Sequence, residues 1–274
     1  MKKRRNAIQY LHLLAAPWSL LWVLPVLAVL SLSLMPTSDP TTTAWGLVPN
    51  SPSLSNYSLI FAQNPILRHV VNSLLITVPS VILTVLSGSM VAFALVRLRF
   101  PGKPVVFALM VLTMVLPMAS IVVAVYRVLQ FLGLYNSIIG LVLVYTALGT
   151  PFAVIMIRNS FAAIPDETYE AALVDGAGKW RILFRIYLPL AKASVAVVVV
   201  WQSMMTWNDF LLPLVSIADN ILKPLVLVPL AYQGIYLSQP GALFAVLVLI
   251  SMPMVLIFLL MQRGLVNGLA GAIK

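Results

Sequence analysis

The chain has 274 residues, of which 61% are hydrophobic and only 9% charged, with a mean hydropathy of +1.03. That composition excludes a soluble globular domain and describes an integral membrane protein. The net charge of +10 has a sufficient cause in membrane orientation and attraction to anionic lipid, and without aromatic–basic interleaving it gives no reason to expect a nucleic-acid partner.

In chain order, apolar stretches of about 20 residues, the length needed to cross a hydrocarbon core, occur six times. They run roughly over residues 12–35, 70–96, 104–127, 138–157, 190–212 and 241–261. The opening MKKRR and the run behind it resemble a signal peptide, but the apolar core is too long and no clear small-residue cleavage site follows, so a retained first span is expected. Pro25, Pro79, Pro117, Pro151 and Pro253 lie inside the spans and predict kinks rather than disqualification, because neighbouring groups can satisfy the freed carbonyls. A seventh apolar stretch, 221–239, is cut by Pro224, Pro229 and Gly234 and reads as an exposed or interfacial loop.

Basic residues resist translocation and gather on the cytoplasmic side. With the N-terminus inside, Lys2, Lys3, Arg4, Arg5, Arg97, Arg99, Lys103, Arg158, Lys179, Arg181, Arg185, Lys192, Arg263 and Lys274 are cytoplasmic, 14 of the 17 basic residues. Arg68, Arg127 and Lys223 fall outside. The expectation is an all-α integral membrane protein, one transmembrane domain over 1–274 with six spans and both termini cytoplasmic.

Several chemistries find no support. Zero cysteines exclude disulfides and cysteine metal sites, and His12 and His69 stand without a second ligand at metal spacing, so no metal or cofactor is expected. The chain carries neither G-x-x-x-x-G-K-[ST] nor G-x-G-x-x-G, and no paired carboxylates or Ser/His/Asp set that would meet in a cleft, so no catalytic residue is assigned. If ATP is used, another chain hydrolyses it. Asp209 is the only carboxylate inside a span, none of the intramembrane charges sits near a midplane, and no internal repeat is visible, which argues against an ion-coupled secondary transporter.

The charged residues concentrate elsewhere. Thirty residues, Arg158 to Tyr187, carry eight of the chain's 24 charges between the fourth and fifth spans. Ile164-Pro165-Asp166-Glu167 reads as a helix start, with a proline in the first turn and acids facing the positive end of the dipole. The helix continues through Leu173 until Gly176 and Gly178 offer stop positions. A second stretch, 179–187, sets Trp180, Ile182, Leu183, Phe184 and Ile186 against Lys179, Arg181 and Arg185, a mix suited to the membrane interface. Such an element presents Ala171, Ala172 and Gly176 for close approach to another protein, with Glu170 and Asp175 as polar anchors.

The run EAALVDGAGKWRILFRIYLP resembles the signature of the membrane-spanning permease subunits of binding-protein-dependent ABC importers, E-A-A, three residues, G, nine residues, I-x-L-P. Glu170, Ala171, Ala172, Gly176, Ile186, Leu188 and Pro189 occupy those positions without departure. Val71-Asn72-Ser73-Leu74, Arg97 to Gly102, Trp207-Asn208-Asp209-Phe210 and the tail from Gln262 to Ala272 resemble the carbohydrate-uptake branch, in particular maltose-permease G-like subunits, although that branch commonly has Glu where this chain has Asp209. The resemblance covers residues 50–274 and implies the type I ABC importer permease fold with a cytoplasmic helical coupling insert over 158–189.

It also implies partners: a second homologous permease subunit forming a heterodimer, two ATP-binding cassette ATPases gripping Glu170 to Gly176, and an extracytoplasmic solute-binding protein. The setting would be the cytoplasmic membrane of a bacterium or archaeon, and the solute a sugar or a sugar-like compound such as glycerol phosphate. Asn72, Trp207, Asn208 and Asp209 either line a polar path or fix helix ends and the aromatic belt. The rivals are a self-sufficient secondary transporter and a membrane-embedded enzyme; the acids of the insert are clustered, but in the helical array of a docking face.

Overall fold

The computed structural model describes residue 18 and residues 21–36, 42–43, 48–233 and 239–271, with backbone alone for 42–43 and 261–271. The first four basic residues, His12, part of the first expected span, part of the 221–239 loop and the side chains of the tail lie outside that description. Helices dominate. They are α1 (Leu21–Ser33), α2 (Ser55–Gln63), α3 (Ile66–Arg97), α4 (Lys103–Thr113), α5 (Met118–Phe131), α6 (Ile138–Ala162), α7 (Asp166–Val174), α8 (Lys179–Ile182), α9 (Leu188–Leu190), α10 (Lys192–Asn208), α11 (Leu211–Ser216) and α12 (Pro240–Gly271). A two-residue antiparallel ladder pairs β1 (Thr42–Thr43) with β2 (Val48–Pro49).

Two compact units form. The first combines the described residues up to Ile66 with Val228–Met252. Its polar staple is Asn56, almost fully buried, whose Nδ2 donates to the carbonyls of Ser33 and Met35 beyond α1. A Cβ at Gly241 would strike that same amide, so α12 approaches α2 closely there. Asn64 Nδ2 donates to the Tyr232 hydroxyl at 2.6 Å, tying the end of α2 to the end of the 3-10 helix Leu225–Tyr232.

The second unit, Leu67–Leu227 with Pro253 onward, is built on α3, α6 and α10. At 1.5 Å per residue, the 32 residues of α3 extend about 48 Å and the 25 of α6 about 38 Å, both longer than a hydrocarbon core of about 30 Å. Ser80 meets the Val142 carbonyl, Ser87 meets Thr150, and Phe93 meets Phe161, so α3 and α6 run parallel. Gln202 meets Tyr145, Trp201 meets Phe152, and Ser194 meets Ser160, so α10 runs antiparallel to α6. Gly149 is the contact that lets α6 and α10 close, since any Cβ there would collide with the Gln202 side chain.

The run 104–127 forms two helices rather than one straight span. Lys103–Thr113 and Met118–Phe131 are bent by 108°. Pro117 explains the break: it disfavours helical geometry at Leu116, lacks a donor, and stands in extended conformation as the cap of α5. Arg158 on α6 lies over the Phe107 ring at 4.6 Å, pinning α4 to α6. The stretch expected over 190–212 is broken twice: the axis bends by 82° at Ala191, and α10 ends at Asn208, where Asp209 turns extended before α11 begins at Leu211.

The 221–239 stretch departs from its expected exposure. Pro224 is buried just before a 3-10 helix, and Leu225, Leu227, Val228, Pro229 and Tyr232 are buried within it, where it satisfies backbone groups over an apolar run its prolines bar from an α-helix. Gly149→Val is expected to push the buried Gln202 amide off the Tyr145 carbonyl and the Thr206 hydroxyl, costing about 1–3 kcal/mol, and to lower the thermal unfolding midpoint in detergent. Gly178→Ala, at a site with nothing within 4 Å of an added Cβ, leaves the midpoint unchanged.

Candidate functional site

The insert folds as its residues predict at both ends of α7. Asp166 and Glu167 occupy the first turn after Pro165, and the helix ends at Val174 with Asp175 as its cap. Gly176 adopts φ +73°, with its N–H bonded to the Leu173 carbonyl at 3.0 Å and the Ala177 N–H to the Ala172 carbonyl at 2.9 Å. That pair of bonds is a Schellman closure, and the left-handed residue it requires is the signature glycine. From Lys179 the chain stays helical to Leu190, passing through a π-turn at Leu183–Tyr187. Pro189 accounts for the irregularity, because it has no N–H for the Arg185 carbonyl and its ring would clash with it. The axis then bends by 82° into α10.

A buried arginine fastens this insert to the bundle. The Arg97 side chain, at the last residue of α3, is 8% exposed and ion-paired with Asp166, itself 79% exposed. Its Nη2 donates to the Ile164 carbonyl at 2.6 Å, and its guanidinium lies 5.6 Å from the Tyr169 ring and 5.3 Å from the Tyr187 ring. Phe93, Phe161, Tyr169 and Tyr187 meet edge to face around it, Phe93 and Phe161 each 5.2 Å from Tyr187. An ion pair with an exposed carboxylate is worth about 0–1 kcal/mol, whereas each desolvated cation–π contact reaches about 2 kcal/mol. The aromatic seat therefore contributes more than the charge pair. Arg97 Nε and the Tyr187 hydroxyl are buried without a hydrogen-bond partner.

The signature residues divide between two faces. Glu170, Ala171, Asp175 and Gly176 are exposed, as expected of a docking surface. Ala172 does not project outward: it is buried in the core formed by Phe161, Ile182, Leu183 and Tyr187, where its small size lets α7 lie close to its own bundle. Ile186 and Leu188 likewise pack against that core, and Pro189 is exposed. Sequence reasoning missed Leu173 and Val174, which are 45% and 88% exposed beside Glu170. An apolar residue left out at the end of an amphipathic count was the available signal.

The second feature is a cavity of about 430 Å³ lined by the α4–α5 bend, α6 and α10. Asn208 and Asp209 line it, together with Tyr145, Gln202, Phe152 and Trp201. Asp209 Oδ2 accepts from the Tyr145 hydroxyl at 2.8 Å and Oδ1 from the Leu211 N–H at 3.1 Å, so the carboxylate both starts α11 and faces the cavity. Phe152 and Trp201 lie 5.0 Å apart with planes tilted by 30°. Gln202 is held by the Tyr145 carbonyl and the Thr206 hydroxyl. Among the described residues, Asp209 is the only formally charged one in the lining, and no lysine or arginine joins it.

Asn72 and Trp207 do not line this cavity. The Asn72 amide donates to the carbonyls of Ile221 and Lys223 at 2.8 and 3.1 Å, and His69 donates from Nδ1 to Lys223 at 2.7 Å. Ser73 accepts from the Leu225 N–H, while Asn136, at φ +55°, accepts from the N–H groups of Ala218 and Asp219. Four polar side chains thus pin the segment after α11, and Asn72 belongs to them as a structural anchor. Trp207 is buried at 3% exposure among Thr77, Thr206 and Pro213.

Known proteins align with nearly the whole chain. The diacetylchitobiose uptake system permease protein of Streptomyces coelicolor is 32% identical over 94% of this chain and 86% of its own length. The trehalose transport system permease protein of Mycobacterium tuberculosis is 30% identical over 92% of both. Among solved structures, a chain of a bacterial ABC transporter involved in import of the acidic polysaccharide alginate superposes with a TM-score of 0.80 at 21% identity, over 96% of this chain and 98% of that one. The fold is thus that of an ABC importer permease, and the family described as binding-protein-dependent transport system inner membrane component matches residues 59–270. The chain belongs to that family: it is a permease subunit of a binding-protein-dependent ABC importer.

Proposed function

We propose that the chain forms half of the translocation pathway for a neutral sugar in a cytoplasmic membrane, paired with a second homologous permease subunit. An extracytoplasmic binding protein delivers the solute, and two ATPase subunits, which carry out the hydrolysis, grip the insert at Glu170, Ala171, Leu173, Val174, Asp175 and Gly176. The observation that carries the solute class is the cavity lining. Phe152 and Trp201 offer flat apolar surface for a sugar ring, while Asn208, Gln202, Tyr145 and Asp209 offer hydroxyl-sized polar partners. A lining whose one formal charge is a carboxylate disfavours a phosphorylated solute, for which basic residues would be needed. Relatives named for diacetylchitobiose and trehalose point the same way.

Six spans with both termini cytoplasmic remain the topology that best fits the helix directions. With α3 and α6 parallel, the bent α4–α5 pair supplies a single return crossing, and α10, antiparallel to α6, leaves α7 and α8 on the side of Arg99 and Lys103. A single cysteine at exposed Asp219 in this cysteine-free chain is expected to react with an impermeant thiol reagent from outside, and one at exposed Arg99 only after permeabilisation. The reverse pattern inverts the topology.

Two substitutions test the sites. Glu170→Lys reverses a charge on the docking face, so copurification of the ATPase from membranes with matched permease levels is expected to fall at least about tenfold, the size of a lost interfacial charge contact; wild-type recovery would remove α7 from the interface. Asp209→Asn weakens a partly buried charged hydrogen bond worth about 1.5–3 kcal/mol, so uptake per assembled complex is expected to fall about tenfold or more with assembly retained. Unchanged uptake per complex would take Asp209 out of the pathway.

A further inference from the structure

The exposed docking face accounts for how the insert meets an ATPase, but not for how a displacement there reaches the bundle. The covalent route runs from α7 through Gly176 and Gly178 and the π-turn into α10, with two glycines in a short connection and an irregular helical turn behind them. Neither glycine has a side chain to pack, and a Cβ at either position would touch nothing within 4 Å. That route is compliant.

The stiff route is Arg97. It is covalently part of the 32-residue α3, and it engages the start of α7 at Asp166 and Ile164, the middle of α7 at Tyr169, and the π-turn at Tyr187. Its side chain is nearly excluded from solvent, so these contacts are not diluted by competing water. The other cations near α7 differ: Lys179, Arg181 and Arg185 are exposed, and Arg158, half-buried, lies over Phe107 of α4 rather than over the insert's aromatic residues.

We infer that Arg97 is the positioning residue through which movement of the ATPase-docked helix α7 is delivered to α3. The inference rests on the reading of α7 as the docking helix. Arg97 itself touches neither ATPase nor solute; it makes α7, the π-turn and the end of α3 move as one body, with the 82° bend between Leu190 and Lys192 yielding between that body and α10.

The test uses the full complex with its binding protein in vesicles, and reads solute transported per ATP hydrolysed. Arg97→Gln, which removes both cation–π contacts, is expected to lower that ratio about tenfold, with complex recovery and basal hydrolysis retained. Asp166→Asn, which keeps the aromatic seat and changes only an exposed carboxylate, lowers it about twofold, and Arg97→Lys falls between the two. A purely structural role would instead reduce the amount of complex at constant ratio. A wild-type ratio in every variant that assembles overturns the inference, as does failure of all three to assemble. Glu170→Lys, run alongside, separates the two failures: normal ATPase recovery in that variant defeats the docking reading, whereas impaired recovery there with normal ratios in the Arg97 and Asp166 variants defeats the inference alone.

Discussion

A guanidinium buried at the foot of a long apolar helix is costly to desolvate, and the local architecture around Arg97 follows from meeting that cost. The rings of Tyr169 and Tyr187 face it, one carbonyl and one carboxylate accept its hydrogen bonds, and Phe93 of α3 and Phe161 of α6 brace the tyrosines edge to face. Because single contacts of this kind are worth only one or two kcal/mol, the arrangement holds only when all of its contributors are in place. The end of α3, the start of α7 and the turn leading into α10 are thereby fixed together, even though the insert between them is the most polar segment of the chain. A polar element can project from an apolar bundle without becoming a loose loop because its inner face is as apolar as the bundle. Ala172, Ile182, Leu183 and Tyr187 are buried, while Glu170, Val174 and Asp175 are exposed.

The same economy of small residues and prolines shapes the far half of the unit. Gly149 brings α6 against Gln202 on α10, and Pro117 turns the chain through 108° between α4 and α5. The space left inside that bend is the cavity, and the residues that face it are those whose other contacts fix their direction: Gln202 through Tyr145 and Thr206, Asp209 through Tyr145 and Leu211. Those pairings fix the direction of the polar groups in the cavity wall before anything enters it. Methionines Met114, Met118, Met204 and Met205 complete it with adaptable apolar surface.

Much of this was legible in the residues. Hydropathy located the long helices, charge density located the insert, and the proline, acids and glycine of α7 marked its two ends to within a residue, because caps and hydrophobic runs are local in their causes. What hydropathy could not register was direction. Ala172 belongs to the signature yet faces inward, and Val174 does not belong to it yet is almost fully exposed, because the face of α7 is chosen by Tyr169 and Asp166 reaching Arg97, a contact 69 positions apart along the chain. Asn72 and Trp207 stand among polar, span-end residues that look alike in sequence, and only tertiary pairing assigns Asn72 to Ile221 and Lys223 and leaves Asn208 and Asp209 at the cavity. The apolar 221–239 stretch reads as a loop because its prolines forbid an α-helix, but a 3-10 helix over Leu225–Tyr232 escapes that rule and buries Leu225, Leu227, Val228, Pro229 and Tyr232.

Photocross-linking from a reactive side chain placed at Val174, in intact membranes expressing the full transporter, is the most direct measurement of the outward face of α7. An adduct between this chain and an ATP-binding subunit is predicted, since Val174 is 88% exposed beside Glu170. Adducts confined to lipid or to the second permease subunit would contradict a docking role for that face.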